Sequence, residues 1–136
     1  MKNSVFLLLC VVSFSGLKAQ ETALVGTWNL TELINIDYND TLRRSPEYIK
    51  EHKAIWELDF LKTGKFKQSS NMDPTKTMTS YEGTWRTSGP DLIVKLQIKG
   101  DTIEMNYNYE VNIGTLILKR SSQEGNHKII SKFLKK

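Results

Sequence analysis

The stretch Ala54-Ile55-Trp56-Glu57-Leu58-Asp59-Phe60-Leu61-Lys62-Thr63-Gly64-Lys65-Phe66-Lys67 decides how the chain folds. Trp56, Leu58 and Phe60 alternate with Glu57 and Asp59, which puts large apolar side chains on one face of a strand and carboxylates on the other. Lys62-Thr63-Gly64 reads as a three-residue hairpin turn with Gly64 in the left-handed position. On the return strand Phe66 points inward while Lys65 and Lys67 face water. One dry face and one wet face is what an antiparallel sheet over a core requires.

The same period of two continues along the chain. A strand over residues 77–87 leads to a Ser88-Gly89-Pro90-Asp91 turn, and Leu92, Val94, Leu96 and Ile98 then alternate with polar neighbours. After Gly100-Asp101, residues Ile103, Met105, Tyr107, Tyr109 and Val111 share one face against Thr102, Glu104, Asn106, Asn108 and Glu110. A turn over residues 112–114, inward Leu116 and Leu118, a Gly125-Asn126 turn and a strand over residues 128–134 complete the run. Upstream, the first strand spans residues 24–36. Ser45 as N-cap, Pro46 at the first helical position and Glu47 at the positive end predict one short helix over residues 46–52. The expected fold is all-β: eight antiparallel up-and-down strands with one short helix. Closure into a barrel hides the sheet edges, although an open sheet would leave the same pattern.

Residues 1–19 are expected to be a signal peptide, with the domain occupying residues 20–136. Lys2 gives a positive start, residues 5–14 form an apolar run too short to span a bilayer, and Ala19 closes a small-residue exit. Cys10 follows Leu9, where a lipidation signal wants a small residue, so it reads as part of the leader's apolar run. The mature chain of about 116 residues then has no cysteine, hence no disulfide and no thiol nucleophile. Two of the 19 basic residues, Lys2 and Lys18, leave with the leader, and the rest nearly balance the 15 acidic ones. Without a concentrated basic stripe, no nucleic acid is expected as partner. No stable membrane insertion is expected, and the oligomeric state stays open.

One tripeptide occurs twice, as Gly26-Thr27-Trp28 and Gly83-Thr84-Trp85. Glycine there permits close approach of another backbone or ring, and the adjacent indole can close a barrel end. With the opening Leu24-Val25-Gly26-Thr27-Trp28 and the hairpin around Gly64, residues 24–133 resemble the short lipocalin-like domain of secreted bacterial proteins. The resemblance implies a structural floor of Gly26, Trp28, Gly83 and Trp85, with Arg120 as the basic residue laid over Trp28. It also implies an interior that binds a small hydrophobic molecule.

Candidate ligand contacts are Glu32, Trp56, Leu58, Phe60, Met105, Tyr107 and Tyr109. The apolar ones suit a ligand and a filled core equally, because eight strands leave an interior just wide enough for either. Glu32 shares the parity of Trp28 and Leu30 and faces inward unless a bulge intervenes. No enzyme activity, metal or cofactor is expected. His52 and His127 lack partners at metal spacing, and no nucleophile triad or phosphate-cradling glycine loop is present. The expected function is that of an exported, periplasmic or secreted carrier. The alternative is a ligand-free barrel acting as an envelope interaction module.

Overall fold

Phe60 and Phe66 face each other across the predicted hairpin, in register and with ring centroids 5.0 Å apart. Gly64 closes the turn at φ 89°. The computed structural model describes residues 21–136, so the expected leader lies outside the described residues. The strands are β1 (Gly26–Asp37), β2 (Asp40–Arg44), β3 (Trp56–Phe60), β4 (Lys65–Ser70), β5 (Thr79–Ser88), β6 (Asp91–Ile98), β7 (Asp101–Asn112), β8 (Thr115–Ser121) and β9 (His127–Lys135). The helix α1 (Pro46–Glu51) lies between β2 and β3, and residues 21–24 form a helical turn ahead of β1.

From β3 to β9 each strand pairs with the next, always antiparallel, and β9 returns to pair with β1. That last ladder, with the β1–β3 pairing, closes eight strands into the expected barrel. The ninth strand, β2, was not expected. The first half of β1, Gly26 to Asn29, pairs with β3, while its second half, Leu33 to Asp37, pairs with β2. The mostly polar Asp-Thr-Leu-Arg-Arg of β2 carries no alternation that would mark a strand. A tight Tyr38-Asn39 turn, with Tyr38 at φ 53°, folds it back onto β1.

The helix starts as expected. The Ser45 hydroxyl accepts a hydrogen bond from the Tyr48 backbone N–H at 3.2 Å, and Pro46 begins the first turn. His52 is its C-cap, so the helix is one residue shorter than predicted. Ile49, 6% exposed, anchors it to the core. Burying such a side chain contributes roughly 1.5–3 kcal/mol.

One barrel end carries the β3–β4, β5–β6 and β7–β8 turns, and it is packed solid. Leu24, Trp28, Leu58, Phe60, Phe66, Leu116 and Phe133 are each exposed by 3% or less. Leu24, from the helical turn, plugs this floor, and its carbonyl accepts a hydrogen bond from the Trp28 indole at 2.8 Å. The second tripeptide works the same end. The Trp85 ring lies edge-on to Phe60 at 5.4 Å, and its N–H donates to the Leu61 carbonyl at 2.9 Å. At Gly83 a Cβ would stand 1.7 Å from the Lys95 carbonyl oxygen, so β5 and β6 can approach there only over a hydrogen atom.

Candidate ligand site

The opposite end of the barrel, which carries the β1–β2, β4–β5, β6–β7 and β8–β9 turns, is built differently. Its geometry turns on one irregularity in β1. Leu30 pairs with Phe133 and Glu32 pairs with Lys132, so one extra residue is inserted between them. A bulge of this kind exchanges the two faces of the strand beyond it. Below the bulge Trp28 and Leu30 point inward. Above it Leu33 and Asn35 take over the inner face, opposite Ser131 and Ile129. The Thr31 hydroxyl pins the irregularity by donating to the Lys132 carbonyl at 3.1 Å.

Glu32 is therefore on the outer face, on the same side as Lys132, and does not enter the barrel. It is nevertheless sheltered. Its side chain is only 10% exposed, with Arg43 Nε at 2.7 Å and Lys132 Nζ at 3.6 Å. The hydrogen bond from Arg43 holds the carboxyl below its ordinary range, burial opposes this, and Lys132 adds to the lowering. A carboxylate with a depressed folded-state pKa stabilises fully above its unfolded value and loses that stability as pH falls through the folded value. Glu32→Gln should accordingly cost about 1 kcal/mol at neutral pH, since Gln can still accept from Arg43 but loses the charge, and the Arg43 guanidinium, 61% exposed, returns to water. It should also flatten the acid limb of the stability curve below about pH 4.5, the ordinary carboxyl value. Urea melts across an acid pH series check both expectations.

Arg120 does not lie over Trp28. It pairs with Ile129 near the mouth, whereas Trp28 pairs with Lys135 at the floor. The cation on the Trp28 ring is Lys135, whose Nζ is 5.4 Å from the ring centroid. Arg120 instead neighbours Tyr107. Burial pushes the Tyr107 hydroxyl up from its usual range, with Arg120 opposing.

The remaining candidates divide between the two ends. Leu58, Phe60 and Tyr109 are buried in packed layers, at 1%, 1% and 7% exposure. Trp56 and Met105 are half-buried above them and pack against the core, as do Leu33, Met72, Tyr81 and Ile98. The Trp56 ring meets Phe133 edge-on at 5.2 Å at this end of the barrel. Tyr107, 8% exposed, donates its hydroxyl toward Met105 Sδ at 3.5 Å. Leu33, Asn35, Met72 and Tyr81 were not anticipated. The bulge hid the first two, Met72 lies on the loop after β4, and Tyr81 alternates inward in β5 as the strand pattern alone could have shown.

Beside the mouth, α1 and the β4–β5 loop frame a groove of about 300 Å³ lined by Arg44, Tyr48, His52, Ala54, Met72 and Pro74, among others. The Asn71 side chain ties its walls together: its oxygen accepts from the Ile55 N–H at 2.7 Å, and its amide donates to the Lys53 carbonyl at 2.9 Å. His52 stacks on Tyr48 with centroids 3.9 Å apart, and the Arg44 guanidinium lies 5.8 Å from the Tyr48 ring. No group of three or more His, Cys, Asp or Glu side chains placed to hold a metal occurs among the described residues.

A small closed antiparallel barrel with a packed floor and half-buried apolar side chains at the other end defines the class. The chain belongs to the lipocalin-like domain family, whose profile matches residues 24–118. Among solved structures it is similar to a lipocalin-like protein from Bacteroides uniformis, with 16% identity and a TM-score of 0.55 over 84% of this chain and 99% of that one. It is also similar to an uncharacterized protein from Bacteroides eggerthii, with 16% identity and a TM-score of 0.50 over 82% and 98% of the two chains. No curated protein matches it significantly.

Proposed function

We propose that this chain is an exported, non-enzymatic carrier that takes a small hydrophobic molecule into the mouth of its barrel. The observation that carries the reading is the contrast between the two ends. Most floor side chains are exposed at 3% or less, with Trp85 and Val111 half-buried at its edge, while Leu33, Trp56, Met72, Tyr81, Ile98 and Met105 stand half-buried around the mouth. Apolar side chains left partly wet at one concave end are the usual lining of a ligand site. Export rests on the leader-like order of Lys2, residues 5–14 and Ala19. Intact mass of protein from the cell envelope should correspond to a start near Gln20, and a chain retaining Met1 would contradict it.

Binding is tested by thermal shift with fatty acids, retinoids and related apolar probes. A ligand at a hundred times its Kd adds about 2.7 kcal/mol of stability. Met105→Ala should cost under about 1.5 kcal/mol, below the 2–5 kcal/mol of a fully packed position, and should alter the shift. If no probe moves the melting temperature and Met105→Ala carries the full core penalty, the barrel is a ligand-free interaction module instead.

A further inference from the structure

Two buried polar atoms in the upper interior have no protein partner among the described residues: the indole N–H of Trp56 and the side-chain oxygen of Asn35. Buried polar groups are nearly always hydrogen-bonded, and each exception calls for a physical reason. The environment of these two is specific. Trp56 sits at the mouth end with its ring against Phe133. Asn35 stands higher on the inner face, opposite Ile129, at a hollow of about 60 Å³ shared with Leu33, Leu42 and Arg44. The other indoles are satisfied, Trp28 by Leu24 and Trp85 by Leu61. Trp56 alone of the three has a buried indole N–H without a partner, and its ring stands half-buried at the mouth end.

The chemistry of the two atoms is complementary. An indole nitrogen only donates and a carboxamide oxygen only accepts. Phe133 and Ile129 are four residues apart on β9, about 13 Å along the strand, so the positions these two side chains stand against are separated by more than one polar group spans. We propose that Trp56 and Asn35 are the polar anchors of the mouth, selecting an elongated apolar molecule with an acceptor oxygen at its deep end and a hydroxyl or N–H donor nearer the rim. This rests on the carrier reading and narrows it, since a purely hydrocarbon ligand would leave both atoms unpaired at a cost.

The test is calorimetric binding of three matched probes: methyl decanoate, which offers only acceptors; decanol, whose single hydroxyl can serve only one anchor at a time; and methyl ω-hydroxydecanoate, which can serve both. The hydroxy ester should bind the wild type about fivefold more tightly than either monofunctional probe, the worth of one further neutral hydrogen bond. Trp56→Phe keeps a ring and removes the donor, and should reduce the hydroxy ester to the affinity of decanol. Asn35→Leu keeps the shape and removes the acceptor, and should reduce it to that of methyl decanoate. Circular dichroism melts confirm that both variants fold, and if either fails, the wild-type ranking alone decides. Equal affinity for all three probes, unchanged in the variants, would mean that water satisfies both atoms; the inference then falls while the carrier reading stands. Binding of fatty acids or retinoids but of none of the three probes also overturns the inference. If no apolar probe of any kind binds, both readings fall together.

Discussion

Trp28→Ala should lower stability by about 3–5 kcal/mol, the cost of truncating a large aromatic side chain in a core that cannot collapse around the gap. Trp28 is 0% exposed and its indole N–H donates to the Leu24 carbonyl, so the change empties the floor and strands that carbonyl at the plug. Lys135 would lose its aromatic platform as well, a smaller loss of the order of 0.5–1 kcal/mol at a partly exposed site. Lys135→Ala should therefore cost far less than Trp28→Ala, and Arg120→Ala should have no effect through this indole. Denaturant melts of the three variants provide the check. A Trp28→Ala protein within half a kcal/mol of wild type would mean that the floor does not hold the barrel together.

Gly83→Ala is the second change expected to be severe, for the opposite reason. Nothing is removed; a methyl group is placed where the Lys95 carbonyl oxygen already stands, 1.7 Å from the new Cβ. The clash is with backbone on the neighbouring strand, so no rotamer change relieves it. β5 and β6 must separate around the Gly83–Leu96 pair, and a cost of about 3 kcal/mol, at the top of the usual range for overpacking, is expected. Gly100→Ala offers a contrast, since nothing lies within 4 Å of its Cβ. Its penalty is confined to the positive φ of 84°, of order 1 kcal/mol. Melts of the two variants should rank Gly83→Ala clearly below Gly100→Ala. The reverse order would show that β5 and β6 are free to move apart.

The floor was legible in the sequence because its parts carry local marks. A glycine two residues ahead of a tryptophan, repeated at two places, marks a close approach, and the clean alternation from Trp56 to Phe60 marks an inward face without saying whether that face is core or ligand lining. The helix was legible from Ser45 and Pro46 for the same reason. The mouth was not. Which side of β1 shows Glu32 to the interior depends on an insertion near Thr31, and threonine is at home in a regular strand and in a bulge alike. β2 has too little apolar content to be seen before its partner is known. Arg120 failed as the cation on Trp28, and Lys135 could not be found, because both needed the β8–β9 and β1–β9 registers, which are long-range facts. Asn35 and Trp56 could not be singled out either, because whether a polar atom has a partner is a property of the assembled barrel.

The insertion in β1 also governs how this chain is to be compared with its relatives. Against a relative whose first strand is regular, residue-by-residue matching can hold only up to Leu30. Against a relative without the extra residue, an ungapped alignment past that point would set Leu33 and Asn35 beside residues that face solvent. Against such a relative, a single gap at Thr31 would restore the correspondence between positions that look into the barrel. Any count of shared mouth residues, or transfer of a ligand contact from one member to another along β1, depends on where that gap is placed.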